Sequence, residues 1–239
     1  MTWTVLLLLG LAIAAGAFIQ SAIGFGINVV AGPIVLLAAP DLMPGALVLG
    51  GFILPLIQIA REGLDVAWPP LGWSVLARAL TTPIGVWLVL VLSPSQIGIV
   101  LGAVILLTVA LSIWSLDIRA TVPNALVAGA LSGISGASAA VGGPFTAILF
   151  QHEPPARMRS TLAVSFLLGS ALSTIGLAQA GALGWSDLRA ALVWAPFMVV
   201  GYAASGRLRR RLAESGMRTA VLAFCVIAAC VIVIRALAA

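Results

Sequence analysis

A chain whose long apolar stretches are interrupted twice by the same run of glycine, serine and proline has few ways to fold. The run reads SAIGFGINVVAGP at residues 21–33 and SGISGASAAVGGP at residues 132–144. At an offset of 111, Ser21 meets Ser132, Ile23 meets Ile134, Val30 meets Val141, Gly32 meets Gly143 and Pro33 meets Pro144. Glycine and proline are the weakest helix formers, and serine competes for backbone hydrogen bonds. Each copy therefore marks an interrupted helix, and the recurrence marks a duplication. Interrupted helices at matching places in two halves of an apolar chain point to a solute site at membrane depth.

The surrounding sequence sets the solvent. Of 239 residues, 62% are hydrophobic and 8% charged. Uncharged apolar runs of about twenty residues read as membrane-crossing helices. Six are expected, near Met43–Ala60, Gly72–Leu92, Ile97–Leu116, Ser160–Ala180, Ala190–Ala204 and Ala220–Ile234. Two more stretches, Trp3–Ala39 and Val122–Phe150, carry the interruptions. The apolar residues do not alternate with polar ones, which excludes a β-barrel. The expected fold class is an all-α polytopic membrane protein. The N-terminus has no basic region and no cleavage site followed by polar sequence, so it reads as mature protein and not as a signal peptide. All twelve basic residues are arginine and most lie in short loops, so the net charge of +5 reads as topology control, with no nucleic-acid partner expected. Cys225 and Cys230 lie five apart on one helix and point away from each other, which suits small core residues and not a disulfide.

The duplication extends past the interruptions. Pro44 and Pro155 keep the offset of 111, and the GWS triplet at 72–74 recurs at 184–186. Each half has one plan: two short helices meeting at a Gly/Ser-rich break, then three full spans. Residues 1–116 form the first repeat and 117–239 the second. The 30 residues from Thr121 to Phe150 are too few for two full spans of about 20 residues each, so two half-depth helices are expected there. Loop charge gives the orientation. The segment Ser205–Arg218 holds Arg207, Arg209, Arg210, Arg211 and Arg218 against Glu214 alone, the strongest cytoplasmic signal in the chain. Counting back places Gln151–Arg159, Asp117–Arg119 and Arg61–Pro70 inside, and Gly181–Asp187, Leu92–Gln96 and Ala38–Leu42 outside. The halves then have opposite orientation, an inverted-topology repeat with both termini outside.

The breaks are the candidate substrate site. The first offers Gln20, Ser21, Gly24, Gly26 and Asn28; the second offers Ser132, Ser135, Gly136, Ser138 and Gly142. Thr161 and Ser165 on the following helix would add hydroxyls to one wall. All of these are neutral. The helices restarting after each break would aim N-termini, each carrying about half a positive charge, at a small oxyanion. The competing reading is structural. GALSG at 129–133 is a small-xxx-small packing pattern, and membrane serines often bond their own backbone. Arg78 is placed near the cytoplasmic end of its span, where it would snorkel to the interface or line an inner vestibule; Arg189 is its counterpart outside. His152 and Glu153 read as solvated loop residues. Pro55, Pro83 and Pro196 suggest kinks, and Trp3, Trp73 and Trp185 interfacial anchors. All seven acidic residues fall in or near loops. No catalytic residue, metal ligand or cofactor is expected, since there is one histidine, and no HExxH, no GxSxG and no buried acid pair is present.

The glycine-rich break followed by Gly-Pro, present twice, with the turns LDVAW at 64–68 and ALGW at 182–185, resembles the TauE/SafE family of sulfite exporters over essentially the whole chain. The resemblance implies a transporter in the bacterial inner membrane that exports a small sulfur-containing anion such as sulfite, sulfoacetate or a related organosulfonate. Its expected partners are the small anionic substrate and membrane lipid. Small residues such as Ala228 and Ala229 on the last helix permit a homodimer. An anion channel and a non-transporting membrane assembly factor stand as the alternatives.

Overall fold

A computed structural model describes residues 3–23, 26–113, 117–208 and 214–237. Eleven α-helices follow in order: α1 (Trp3–Ile23), α2 (Ile27–Ala38), α3 (Gly45–Gly50), α4 (Ile53–Glu62), α5 (Trp68–Val91), α6 (Pro94–Ile113), α7 (Val122–Ser138), α8 (Gly143–Leu149), α9 (Pro155–Gln179), α10 (Trp185–Leu208) and α11 (Glu214–Leu237). A short 3-10 turn, Pro40–Leu42, joins α2 to α3. No strand occurs among the described residues.

Among the described residues, six helices are long and apolar enough to cross a membrane: α1, α5, α6, α9, α10 and α11. Their outer faces carry large exposed apolar side chains, including Leu80 at 71% and Ile227 at 65% exposure. A monomer in water does not carry so much apolar surface; lipid is the solvent that suits it. The protein is a multi-pass membrane protein.

One expected span differs. Met43–Ala60 is not continuous but two short helices, α3 and α4, separated at Gly51–Phe52. The cause is local. Pro55 has no N–H to give the Gly51 carbonyl, and its ring crowds that carbonyl. Gly51 in turn lies against Ser170 of α9, where a Cβ would overlap the hydroxyl. Trp3–Ala39 is longer than its second-half counterpart, which leaves room for pieces closer to full spans, and α1, with 21 residues, is long and apolar enough to cross a membrane. The two helices of the second break are unequal, with 17 residues in α7 and 7 in α8, so α7 exceeds half depth. Several helices begin earlier than expected. α5 starts at Trp68, where Pro69 and Pro70 occupy the first turn, the one place proline suits a helix.

Close pairs hold the bundle. α5 packs along α7, α1 along α10, α6 against α11, and α4 against α9. At the α5–α7 seam, Gly129 faces the Ser74 backbone and Gly133 faces Arg78 and Thr81 so closely that any side chain would collide. The Thr81 hydroxyl donates across the seam to the Ala130 carbonyl at 3.0 Å. The small-xxx-small pattern at 129–133 is thus a packing device. On the other seam, the buried Trp194 indole donates to the Leu6 carbonyl at 3.1 Å.

The loops sort to two faces. On one, His152 pairs with Asp117 at 2.7 Å, Arg157 lies 3.7 Å from Asp65, and the Ala67 N–H donates to Thr161 Oγ1 at 3.0 Å. On the other, Arg189 stacks 4.0 Å from the Trp3 ring centroid, and Gly45 lies against Asp187. Arg235 near the end of α11 shares a surface groove with Pro40 and Pro94 on that second face. Trp3 and Arg235 therefore lie on the same side.

Candidate functional site

The two breaks meet. The Asn28 side-chain amide, at the start of α2, donates to the Ala140 carbonyl between α7 and α8 at 2.8 Å. Gly26 precedes α2 with φ of 92°, a conformation open to glycine. Ala140 takes φ of 58° in the left-handed region, which costs an alanine about 1–2 kcal/mol. The Ser135 carbonyl closes α7 by accepting the Ala139 N–H at 2.9 Å and the Val141 N–H at 3.2 Å. This frees the Ala140 carbonyl to turn toward Asn28.

Between the breaks lies a cavity of about 60 Å³, room for several water molecules or one solute of a few heavy atoms. Gln20, Gly26 and Asn28 line it from the first break, and Ala140 to Pro144 from the second. Gly50, Gly51, Leu54 and Pro55 line it from the α3–α4 interruption, Phe166 and Ser170 from α9, and Arg78 from α5.

Arg78 changes the electrostatics expected from sequence. It does not snorkel. It stands ten residues after Trp68 and thirteen before Val91, near the middle of α5, and is 6% exposed. Its guanidinium fits because its neighbours have no side chains. Gly169 on α9 lies so close that a Cβ would fall on the guanidinium carbon, and a Cβ on Gly136 would stand 2.7 Å from Nη2. Nη1 donates to Ser132 Oγ at 3.0 Å. Nε is buried without a partner. The ion pairs among the described residues, His152–Asp117, Arg157–Asp65 and Arg157–Glu153, all lie elsewhere. A whole positive charge thus faces the cavity with no carboxylate beside it.

Of the candidates read from sequence, the structure brings Gln20, Gly26, Asn28 and Gly142 to the cavity wall. Gln20 is partly committed, since its Oε1 accepts the Ile27 N–H at 2.5 Å and caps α2. Ser132 acts through Arg78, and Gly136 makes room for it. Ser21, Ser135 and Ser138 bond carbonyls one turn back, at Ala17, Leu131 and Ile134, each at 2.7 Å. Thr161 caps the start of α5 through Ala67, and Ser165 is buried away from the lining. Gly24 lies outside the described residues. The helix ends carry less than expected: α8 has only seven residues, and the first N–H of α2 is taken by Gln20.

Reading the sequence missed Gly169, Ser170, Phe166 and the α3–α4 corner. A usable signal was there: one arginine in a 24-residue apolar span, against a partner helix with glycine at 129, 133 and 136.

Comparison with curated proteins and with solved structures finds no match. The family model described as Sulfite exporter TauE/SafE matches residues 8–232, a stretch that takes in both breaks, Arg78 and every helix lining the cavity, and the chain belongs to that family.

Proposed function

We propose that this chain exports a small sulfur-containing anion, sulfite or an organosulfonate, across the bacterial inner membrane by alternating access at the cavity between the two breaks. The observation that carries the reading is the hydrogen bond from Asn28 to Ala140 beside a cavity that holds an unpaired arginine. Irregular backbone at membrane depth survives where it lines a cavity, and a buried intramembrane charge marks a solute path. The site holds no carboxylate to repel an anion.

The packing supports an inverted repeat as the scaffold. If α1 is exchanged with α7 and α5 with α10, the α1–α10 seam becomes the α7–α5 seam. The α6–α11 pair maps onto itself. At the offset of 111, Pro55 corresponds to Phe166, and both line the cavity. The halves differ at their third element: α9 is continuous where α3–α4 is interrupted. That interruption is the flexible corner in this reading, able to open the cavity by bending against α9. In this reading the face of His152 and Arg157 is cytoplasmic, by the arginine bias of the sequence, and both ends of the chain are outside. An inside-negative potential favours exit of an anion by about 2.3 kcal/mol per charge per 100 mV, so export runs without a coupled ion.

The test is sulfite efflux from proteoliposomes, together with cysteines placed at Asn28 and Ser170 in a protein whose Cys225 and Cys230 are replaced by alanine. A carrier gives saturable efflux, and thiol reagents reach the two positions from one side at a time. Non-saturating flux with access from both sides at once would make it a pore, and no flux from a folded protein would remove the transport reading.

A further inference from the structure

The reading above leaves open which charge state of the anion the site takes. It rests on that reading, and it follows from counting charges around the cavity. Among the described residues, Arg78 is the one charged side chain in the lining. The other arginines whose neighbours are defined belong to the faces: Arg189 stacks on Trp3, Arg61 lies 6.0 Å from the Tyr202 ring centroid, and Arg157 sits between Asp65 and Glu153. Among the described residues, no second cation lines the cavity where it would meet a second negative charge.

The donors are also divided. Nη1 is held by Ser132. Nε is nine-tenths buried and unbonded, and with Nη2 it forms one edge of the planar guanidinium. That edge matches two oxygens of one oxyanion group, a geometry arginine has and lysine lacks. The remaining polar lining is neutral: the Asn28 and Gln20 amides and the Ser170 hydroxyl.

We propose that the cavity selects a monoanion: Arg78 takes one negative charge through its Nε edge, so the transported species is hydrogensulfite or a singly charged sulfonate, and the loaded carrier is electrically neutral. A dianion of the same size would leave one uncompensated charge in a site closed to water, which is costly. Among the family's sulfur anions this favours hydrogensulfite and simple monosulfonates over sulfite dianion and sulfoacetate. Neutrality of the loaded form also has a kinetic consequence. Exchange of solute for solute uses only loaded crossings, so membrane potential does not alter it, whereas net efflux requires the empty, positively charged site to return.

Methanesulfonate and sulfate test this, being close in size and shape and different by one charge. The full-length protein in nanodiscs is titrated with each, and proteoliposomes are assayed for exchange and net efflux at several potentials. The expected result is methanesulfonate binding at least tenfold tighter than sulfate, exchange independent of potential and net efflux dependent on it. Arg78→Met should lose methanesulfonate binding by at least tenfold while its melting temperature holds or rises. Arg78→Lys should keep the preference for the monoanion but bind it more weakly. Equal or tighter binding of sulfate, potential-dependent exchange, or methanesulfonate binding by Arg78→Met as tight as by the parent would overturn the proposal while anion transport by the parent stands. If the parent neither binds nor moves any anion, the transport reading falls with it.

Discussion

Arg78 is held by what surrounds it more than by what bonds it. A guanidinium in the middle of a span is costly unless partnered, and here one hydroxyl and a set of missing side chains make the place tolerable. Among the described residues, Ser132 accepts the guanidinium's hydrogen bond, from Nη1. Ser132→Ala would strand a second buried donor, and an unmet buried donor costs about 1–3 kcal/mol. The expected outcome is a lower unfolding temperature that added anion recovers in part. Gly169→Ala tests the space instead of the bond. Its Cβ would fall on the guanidinium and displace it from its place in the cavity wall. Losing a charge-assisted hydrogen bond of about 1.5–3 kcal/mol corresponds to affinity weaker by about tenfold to a hundredfold, which titration of the variant reads directly. The serines show why such detail was hard to foresee. Ser21, Ser135 and Ser138 look like ligands in the sequence, but each satisfies its own helix one turn back. Sequence cannot separate a hydroxyl that faces a solute from one that faces its own carbonyl. Arg78 was misplaced for a different reason. Counting the span from Gly72 puts it near an interface, whereas Pro69 and Pro70 start the helix a turn earlier at Trp68 and carry Arg78 to mid-depth.

At the scale of helices, the two breaks were legible because glycine and proline act locally, but they are not at matching positions: α1 ends at Ile23 and α2 begins at Ile27, whereas α7 runs unbroken through Gly136 to Ser138 and α8 begins only at Gly143. The third interruption was not legible. Met43–Ala60 has the length and apolarity of a span, and its break depends on two coincident features, Pro55 four residues after Gly51 and the approach of Ser170 from α9. Only the first is local, and a proline within a span is as often a mild kink. The corner can be tested as a hinge. Pro55→Ala returns an N–H to the Gly51 carbonyl and relieves the ring contact, a change of up to about 3 kcal/mol in favour of continuous helix. If bending at this corner opens the cavity, the variant unfolds at a higher temperature and transports more slowly, with anion affinity little altered. A higher unfolding temperature with full transport would assign the bend to packing alone.

The whole molecule binds its two faces together differently. One carries an exposed polar cluster, in which His152, Asp117, Arg157, Asp65 and Glu153 tie three loops. Exposed pairs of this kind contribute little to stability, so their arrangement reports topology more than strength. The other face is joined by Arg189 on Trp3 and by Asp187, whose carboxylate accepts the Gly184 N–H at 2.8 Å beside Gly45. Loops grouped by arginine content in the sequence are thus grouped in space as well, since charge bias and helix count are both global properties that a sequence displays openly. In the proposed orientation the arginine-bearing group faces the cytoplasm, and reporter fusions test it. A periplasm-active phosphatase fused after Leu237 should be active, and a fluorescent protein that folds only in the cytoplasm should be dark there. Fused into the segment between Glu153 and Arg157, the same two reporters should give opposite results. Neutralising Arg207, Arg209, Arg210 and Arg211 together removes most of the positive charge between α10 and α11 and should yield a mixture of orientations for the last helix. Reporters active at both places, or dark at both, would break the odd count of three crossings, α9 to α11, that separates them, and with it the placement of two oppositely oriented halves around one shared cavity.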